Sequence, residues 1–361
     1  MKKIIVSVSN DLITDQRVHK VCSTLSDNGF FITLVGCKKA MLIAPLERNY
    51  DTKLLNLIFT KGVLFYAEFN IRLFFFLLFN KKDVLLSNDM DTLLPNYLIS
   101  RLQNKTLVFD SHELFSEIPE LVNRKFVKNV WLSLEKNLIP KLKNAFTVCV
   151  SIAKYYKEKY NTDFKVIRNV PKSITVEKRD LKLTQEKDII IYQGAVNVGR
   201  GLELMIDTMM YLPDYLLLIV GDGDIKEELF QRMLKNKVKS NVFFYGKTSP
   251  EELKKITPNA VLGFSMEEDL GLNYRFALPN KIFDYIQAEI PVLCSDLPEM
   301  KKIIGDYKVG EIVLDRTPEK IALQIREILK KDFSKELKLA KEKLVWEYEE
   351  QELLSLFLNS K

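Results

Sequence analysis

Histidine and cysteine are scarce in this 361-residue chain, with two of the first and four of the second. Cys22, Cys37, Cys149 and Cys294 stand apart without paired spacing, which argues against a zinc site or a disulfide framework and for reduced thiols in the core of a cytosolic protein. The longest unbroken apolar run, residues 73–79, falls far short of the roughly 18 residues that a membrane span needs. The opening residues reach Asn10 and Asp11 early and offer no small-residue cleavage site, so they read as a first strand rather than a signal peptide. No basic run exceeds two adjacent residues and no nucleic-acid module is recognisable, which leaves nucleic acid out of the expected partners.

What is present is globular: 47% hydrophobic and 28% charged residues, in a length that suits two domains each with its own core. The net charge of +6 is unevenly spread. Residues 1–170 carry 25 Lys+Arg against 16 Asp+Glu, or +9, while residues 171–361 carry 29 against 32, or −3. The basic half therefore fits an anionic partner such as a membrane surface or a phosphorylated acceptor.

Apolar runs alternate with helical periodicity. A strand at 4–8, a helix with Val18, Val21, Cys22 and Leu25 at spacings of three and four, and a strand at 30–35 make a βαβ opening. Further strands are expected at 83–86, 106–109, 145–150 and 164–167, and the alternation is that of a parallel sheet covered on both faces. The polar segment 171–188 reads as a linker. A second series follows, with strands at 189–193, 215–220, 242–245, 261–266, 292–295 and 311–314. The tail, 335–358, reads as one long amphipathic helix without Gly or Pro. Open α/β sheets bind ligands at the carboxyl ends of their strands, so the turns after these strands are where chemistry is sought.

Residues 271–296, GLNYRFALPNKIFDYIQAEIPVLCSD, are the most informative. Pro279 suits the first position of a helix, where unpaired amides, the helix dipole and Lys281 together favour an anion. Asp284 follows one turn later, a carboxylate for ribose or sugar hydroxyls. The turn 194–203, GAVNVGRGLE, joins a strand to a helix, and its amides with Arg200 suit a diphosphate; it has neither G-K-[ST] nor G-x-G-x-x-G. Gly221-Asp222-Gly223-Asp224 ends another strand, and turn formation and an Asp-x-Asp metal site are the two readings of it. In the first half, His112 sits in DSHELFSE between Asp110 and Glu113, at a strand's carboxyl end, where it suits proton transfer or a hydrogen bond to a hydroxyl, or a purely structural bond to those carboxylates. Asp89 and Asp91 in SNDMDTLLP suit either acceptor hydroxyls or helix capping. Arg17 and Lys20 lie in a first helical turn, where cations are normally avoided, which suggests that they answer an anion. His19 reads as a solvated surface residue. Residues 69–79, with Arg72 inside and Lys81 and Lys82 after, read as a buried helix or as an interfacial anchor.

The segment 271–296 resembles the donor-site signature of glycosyltransferase family 4, the large group of retaining GT-B enzymes, with Asp284 in place of the usual glutamate. The resemblance covers nearly the whole chain. It implies two facing Rossmann-like, doubly wound α/β domains: 1–170 for the acceptor, a linker at 171–188, 189–334 for the nucleotide-sugar, and 335–361 as a helix packing back on the first domain. It implies donor contacts from Gly194, Arg200, Asn280, Lys281, Asp284 and Tyr274, with Ala195 standing where a second cation is usual and residues 244–253 holding the base. It gives catalytic roles to His112, Asp110 and Glu268, although an insertion carrying Asn273, Tyr274 and Arg275 widens the usual spacing from Glu268 to the second acid. It places Asp15, Arg17, Asp89 and Asp91 near the acceptor.

The expected activity is metal-independent retaining transfer of a hexose-type sugar from a nucleoside diphosphate, with no cofactor, to a glycan or lipid-linked hydroxyl in cell-surface polysaccharide synthesis, in the cytoplasm at the inner face of the membrane. Three other readings stand beside it: a GT-B nucleotide-sugar epimerase, a degenerate binding subunit, and a phospholipid-surface protein.

Overall fold

The computed structural model describes residues 1–10, 12, 15–37, 48–117, 124–181 and 187–358. Parts of the loop after the first strand (11, 13 and 14), of the linker (182–186) and of the tail (359–361) lie outside them. The chain forms two compact units, Met1–Asn169 with Glu349–Lys361, and Val170–Tyr348.

The first unit runs β1 (Lys3–Ser7), α1 (Gln16–Asp27), β2 (Phe31–Cys37), β3 (Asp51–Leu55), α2 (Gly62–Phe79), β4 (Val84–Asn88), α3 (Met90–Leu102), β5 (Thr106–Ser111), α4 (Lys125–Leu138), β6 (Asn144–Thr147), α5 (Val150–Tyr160) and β7 (Lys165–Val166). The strands form a parallel sheet in the order β3-β2-β1-β4-β5-β6-β7. Strand β1 is central, with Ile4 opposite both Ile32 and Val84, and burial on both faces is why its middle, Ile4, Ile5 and Val6, is apolar without a break. The order reverses between β1 and β4, which makes their carboxyl ends the switch point of this unit. Strand β3 escapes the sequence pattern because it is a half-exposed edge, DTKLL, that needs no continuous apolar run. All four cysteines are free and buried.

The second unit runs β8 (Asp188–Gln193), α6 (Leu202–Thr208), β9 (Tyr215–Val220), α7 (Lys226–Lys235), β10 (Val242–Gly246), α8 (Pro250–Ile256), β11 (Ala260–Ser265), α9 (Leu272–Arg275), α10 (Asn280–Gln287), β12 (Val292–Ser295), α11 (Pro298–Tyr307), β13 (Gly310–Val313), α12 (Pro318–Ile328) and α13 (Ser334–Lys343). Its parallel order is β10-β9-β8-β11-β12-β13, with the switch point between β8 and β11. Ile190, Tyr192, Leu217, Ile219, Leu262 and Phe264 pack the core beneath it. Both units are doubly wound α/β, as the alternation of apolar runs predicts.

The tail differs from the single helix expected over 335–358. It is α13 and then α14 (Trp346–Leu358), broken at Leu344, whose backbone (φ −96°, ψ 61°) is not helical. Leu344, Val345 and Trp346 are all buried, and three consecutive side chains cannot share one face of a helix. The break lets the Trp346 N–H donate to the Pro171 carbonyl at 2.8 Å. Beyond it α14 joins the first unit, where Glu349 accepts from Arg168 Nε at 2.7 Å and Glu350 from Thr24 Oγ1 at 2.7 Å.

Candidate functional sites

Beside the switch point of the second unit, on the β9 side of β8, β8 ends at Gln193 and hands over to Gly194, and β9 ends at Val220 and hands over to Gly221. The two turns are laced together by Gly194 N–H to Val220 O (3.0 Å) and Val196 N–H to Asp222 O (3.0 Å). They approach so closely that a Cβ on Gly221 would lie 1.8 Å from the Gly194 carbonyl oxygen, and φ of +151° there also calls for glycine. A cavity of about 680 Å³ opens beside them, lined by Gly194, Ala195, Gly221, Asp222, Lys247 and Thr248. Asp222 is exposed and pairs with Lys226, and among the described residues no group of three or more His, Cys, Asp or Glu side chains is placed to hold a metal ion.

Helix α10 starts one residue later than the sequence suggests: Pro279 is its N-cap, and Asn280 is its exposed first residue. Lys281 is buried rather than open to a ligand on all sides. Its Nζ donates to Glu267 Oε1 at 2.8 Å and lies 4.2 Å from the centre of the Tyr192 ring. Asp284 accepts from Gln193 Nε2 at 2.8 Å, so both side chains of the helix converge on the end of β8.

The acid that meets Lys281 is Glu267, not Glu268. Glu267 is fully buried, accepts from Ser265 Oγ at 2.7 Å, and lies 3.7 Å from Arg200 Nη1. Burial works against its charge, but Lys281, Ser265 and Arg200 outweigh that and hold the carboxyl below its ordinary range. Glu268 is half-exposed, and its backbone N–H donates to the Gly199 carbonyl. Three acids in a row follow β11 in the irregular segment after Ser265, and only the path of that segment decides which of them turns inward. Arg316, which sequence reasoning missed, braces this corner from the loop after β13, donating to Ser295 Oγ (2.8 Å) and the Met266 carbonyl (3.0 Å). Ser295 in turn donates to the Glu267 carbonyl at 2.7 Å.

Arg200 has its guanidinium 5.4 Å from the centre of the Tyr274 ring. Tyr274 comes from the inserted segment, which forms the short helix α9 and is tied down by Arg275 Nε to Asp269 at 2.8 Å. The Nε of Arg200 is buried with no hydrogen-bond partner among the described residues. The guanidinium is thus stacked and held near Glu267 while one of its donors is left unused by the described residues.

In the first unit the carboxyl ends of β4 and β5 bring together residues far apart in the chain. Arg17, 3% exposed, forks onto Asp110, with Nε to Oδ2 and Nη2 to Oδ1 both at 2.9 Å, while Nη1 donates to the Ile167 carbonyl. Its anion is thus Asp110 itself. His112 Nε2 lies 3.0 Å from Asp110 Oδ2, its Nδ1 lies 3.3 Å from Asp89 Oδ2, and its backbone N–H donates to Asp89 Oδ1 at 2.8 Å. Burial disfavours a charged ring, but Asp89 and Asp110 overcome it and raise the His112 pKa to about 9. Burial would also raise Asp110, which Arg17 and His112 instead hold low.

Asp89 precedes α3 but makes no side-chain capping bond to it. Its backbone (φ 57°, ψ 170°) lies in a region that only glycine occupies easily, at a cost of about 1–3 kcal/mol. That strain aims its carboxylate at His112. Burial, with Glu113 and Asp91 nearby, pushes Asp89 above the usual carboxylate range. Asp91 accepts from Ser9 Oγ, and Asp15 caps α1 by accepting from the Val18 N–H at 3.0 Å. Nδ1 of His19 lies 2.9 Å from the Tyr50 hydroxyl, so His19 is held rather than solvated.

Comparison with known proteins fits this geometry. Residues 173–344 match the family of glycosyl transferases group 1. No curated protein matches the sequence. Solved structures share the fold at low identity. Sucrose-phosphate synthase from Thermosynechococcus elongatus superposes with a TM-score of 0.82 at 15% identity, covering 99% of this chain and 98% of that one. A glycosyltransferase from Rickettsia africae gives 0.76 at 14%, with 99% of each chain covered. Anabaena HepE in complex with UDP-glucose gives 0.73 at 12%, again covering 99% of each. The chain has the two-domain GT-B fold, and its residues 173–344 match the model of the glycosyl transferases group 1 family.

Proposed function

We propose that this protein is a retaining, metal-independent glycosyltransferase that moves a hexose-type sugar from a nucleoside diphosphate to a hydroxyl of a glycan or lipid-linked acceptor, in the synthesis of cell-surface polysaccharide at the cytoplasmic face of the membrane. The observation that carries the reading is the corner after β8 and β11, where Arg200, with an unused buried donor, and Lys281 both meet Glu267, with the Lys281 side chain beside Gly194, one of the glycines of the laced turns that line the cavity. When the sugar–phosphate bond breaks, negative charge grows on the departing diphosphate. Preorganised cations and turn amides stabilise that charge more than the ground state, and such electrostatics are often the largest catalytic contribution. Glu267 keeps Lys281 in place before the donor arrives, and Asp284 with Gln193 is positioned for hydroxyls. HepE, a protein of the same fold, binds UDP-glucose, which makes uridine diphosphate sugars the first donors to try.

In the first unit, His112 between Asp89 and Asp110 is the group suited to donate a hydrogen bond or proton to a sugar hydroxyl. The test is a thermal-shift screen against UDP, GDP, ADP, dTDP and their sugar conjugates, followed by acceptor-dependent release of the matching diphosphate in the presence of EDTA. A selective upward shift with turnover supports the reading. A shift without turnover on any acceptor would instead support a binding subunit, and interconversion of free nucleotide-sugars an epimerase.

A further inference from the structure

Helix α2 is apolar all round, yet only one of its faces is covered. Phe65, Phe69, Leu73 and Leu77, spaced by four, pack on the sheet of the first unit. The opposite face carries Leu64, Ile71, Phe75 and Phe79, which are 57%, 59%, 51% and 78% exposed. The helix is long and apolar enough to cross a membrane, but its inner stripe is packed and both of its ends join strands of the same sheet, so it can only lie flat on one.

Among the exposed charges around this face, basic residues outnumber acidic ones. Glu68 is the only acid in the helix, and its carboxylate is occupied: it accepts the N–H groups of Ile58 and Phe59, both at 2.9 Å, and Arg72 Nε at 2.7 Å. The same bonds hold the exposed side chains of Ile58 and Phe59 beside the first turns of α2. Lys61 before the helix and Lys81 after it are exposed. Neighbouring α4 adds exposed Phe126 and Val130 next to Arg124 and Lys125, and it is locked to α2 by the edge-to-face contact of Tyr66 and Trp131 at 5.3 Å. This is also the half of the chain with the +9 surplus.

We propose that the outer face of α2, with Ile58 and Phe59, seats in the interfacial layer of an anionic lipid membrane, the helix parallel to its surface and the basic residues meeting lipid phosphates. A second copy of the chain is the poorer occupant, because a two-fold pairing would bring like-charged rims together. The inference stands apart from sugar transfer, since nothing in it involves the donor corner.

The test is flotation of the full chain with vesicles of phosphatidylcholine alone and of phosphatidylcholine with one-third phosphatidylglycerol. The expected result is binding to the anionic vesicles that falls about tenfold or more in the triple variant Ile71→Ser, Phe75→Ser, Phe79→Ser, and also falls in Lys61→Glu, Lys81→Glu. All five positions are exposed, so the melting temperature and nucleoside-diphosphate binding should be unchanged, which keeps this test separate from that of the transferase reading. Wild-type protein left unbound with anionic vesicles, or equal binding by the triple variant, overturns the proposal. A wild-type dimer that the triple variant turns into monomer would assign the face to a second copy and overturn it too.

Discussion

The Lys281 ammonium donates to the Glu267 carboxylate at 2.8 Å, with the lysine side chain 9% exposed and the glutamate not at all. The pair spans fourteen residues of sequence and joins the end of β11 to the start of α10. Removing one partner strands the other's charge in the interior. Lys281→Ala is expected to lower stability by about 3–5 kcal/mol and to weaken nucleoside diphosphate and nucleotide-sugar alike, whereas the double variant Lys281→Met, Glu267→Gln should recover most of the stability but not the binding. Urea melts and calorimetry read the two effects separately; unchanged diphosphate affinity in both variants would remove Lys281 from the phosphate site.

Gly221 has no room for a side chain, since an added Cβ would meet the Gly194 carbonyl at 1.8 Å. Gly221→Ala is expected to push the two turns apart, to cost about 3 kcal/mol, and to abolish nucleotide binding. A variant that still gives a full thermal shift with the cognate diphosphate would show that the laced turns are not the binding surface.

His112 has a pKa raised to about 9 by Asp89 and Asp110, against burial. The native state therefore binds its proton more tightly than the unfolded chain, so this stabilisation is complete below the unfolded value near 6.5 and is lost as pH rises to about 9. Comparing unfolding free energies of wild type and His112→Gln between those pH values should show the difference shrinking as pH rises. His112→Ala should lower turnover far more than diphosphate affinity, and a fully active variant would take the ring out of the chemistry.

Arg17 and Asp110 form a two-pronged buried pair that lysine cannot reproduce. Arg17→Lys is expected to destabilise by about 3 kcal/mol, seen as a lowered Tm, because one carboxylate oxygen and the Ile167 carbonyl lose their donors. Since Asp110 also contacts His112, the His112 pKa followed by NMR should move in this variant; a static value would mean that the pair does not position the ring.

Trp346 is fully buried at the break between α13 and α14. Trp346→Ala is expected to cost about 3–5 kcal/mol, whereas Tyr348→Ala, at an exposed neighbour, should cost little, and denaturant midpoints distinguish them.

Much of this was legible from local pattern. A strand buried on both faces must be apolar throughout, so the central strands announced themselves; twelve of the thirteen strands among the described residues were expected from apolar runs, and the polar or glycine turns after them are where the candidate sites were sought. His112, Asp110, Lys281 and Arg200 could be picked out because a charged group at a strand's carboxyl end or at a helix start stands out against its surroundings. Partner choice could not be read in this way. Arg17 faces Asp110 across 93 residues, Glu267 rather than Glu268 turns toward Lys281, and a tail of unbroken helical periodicity breaks where Leu344, Val345 and Trp346 all find burial. Periodicity reports only which side of an element is apolar. Which charge meets which, and which of three adjacent acids is desolvated, depends on distances between elements that exist only once the sheets have formed.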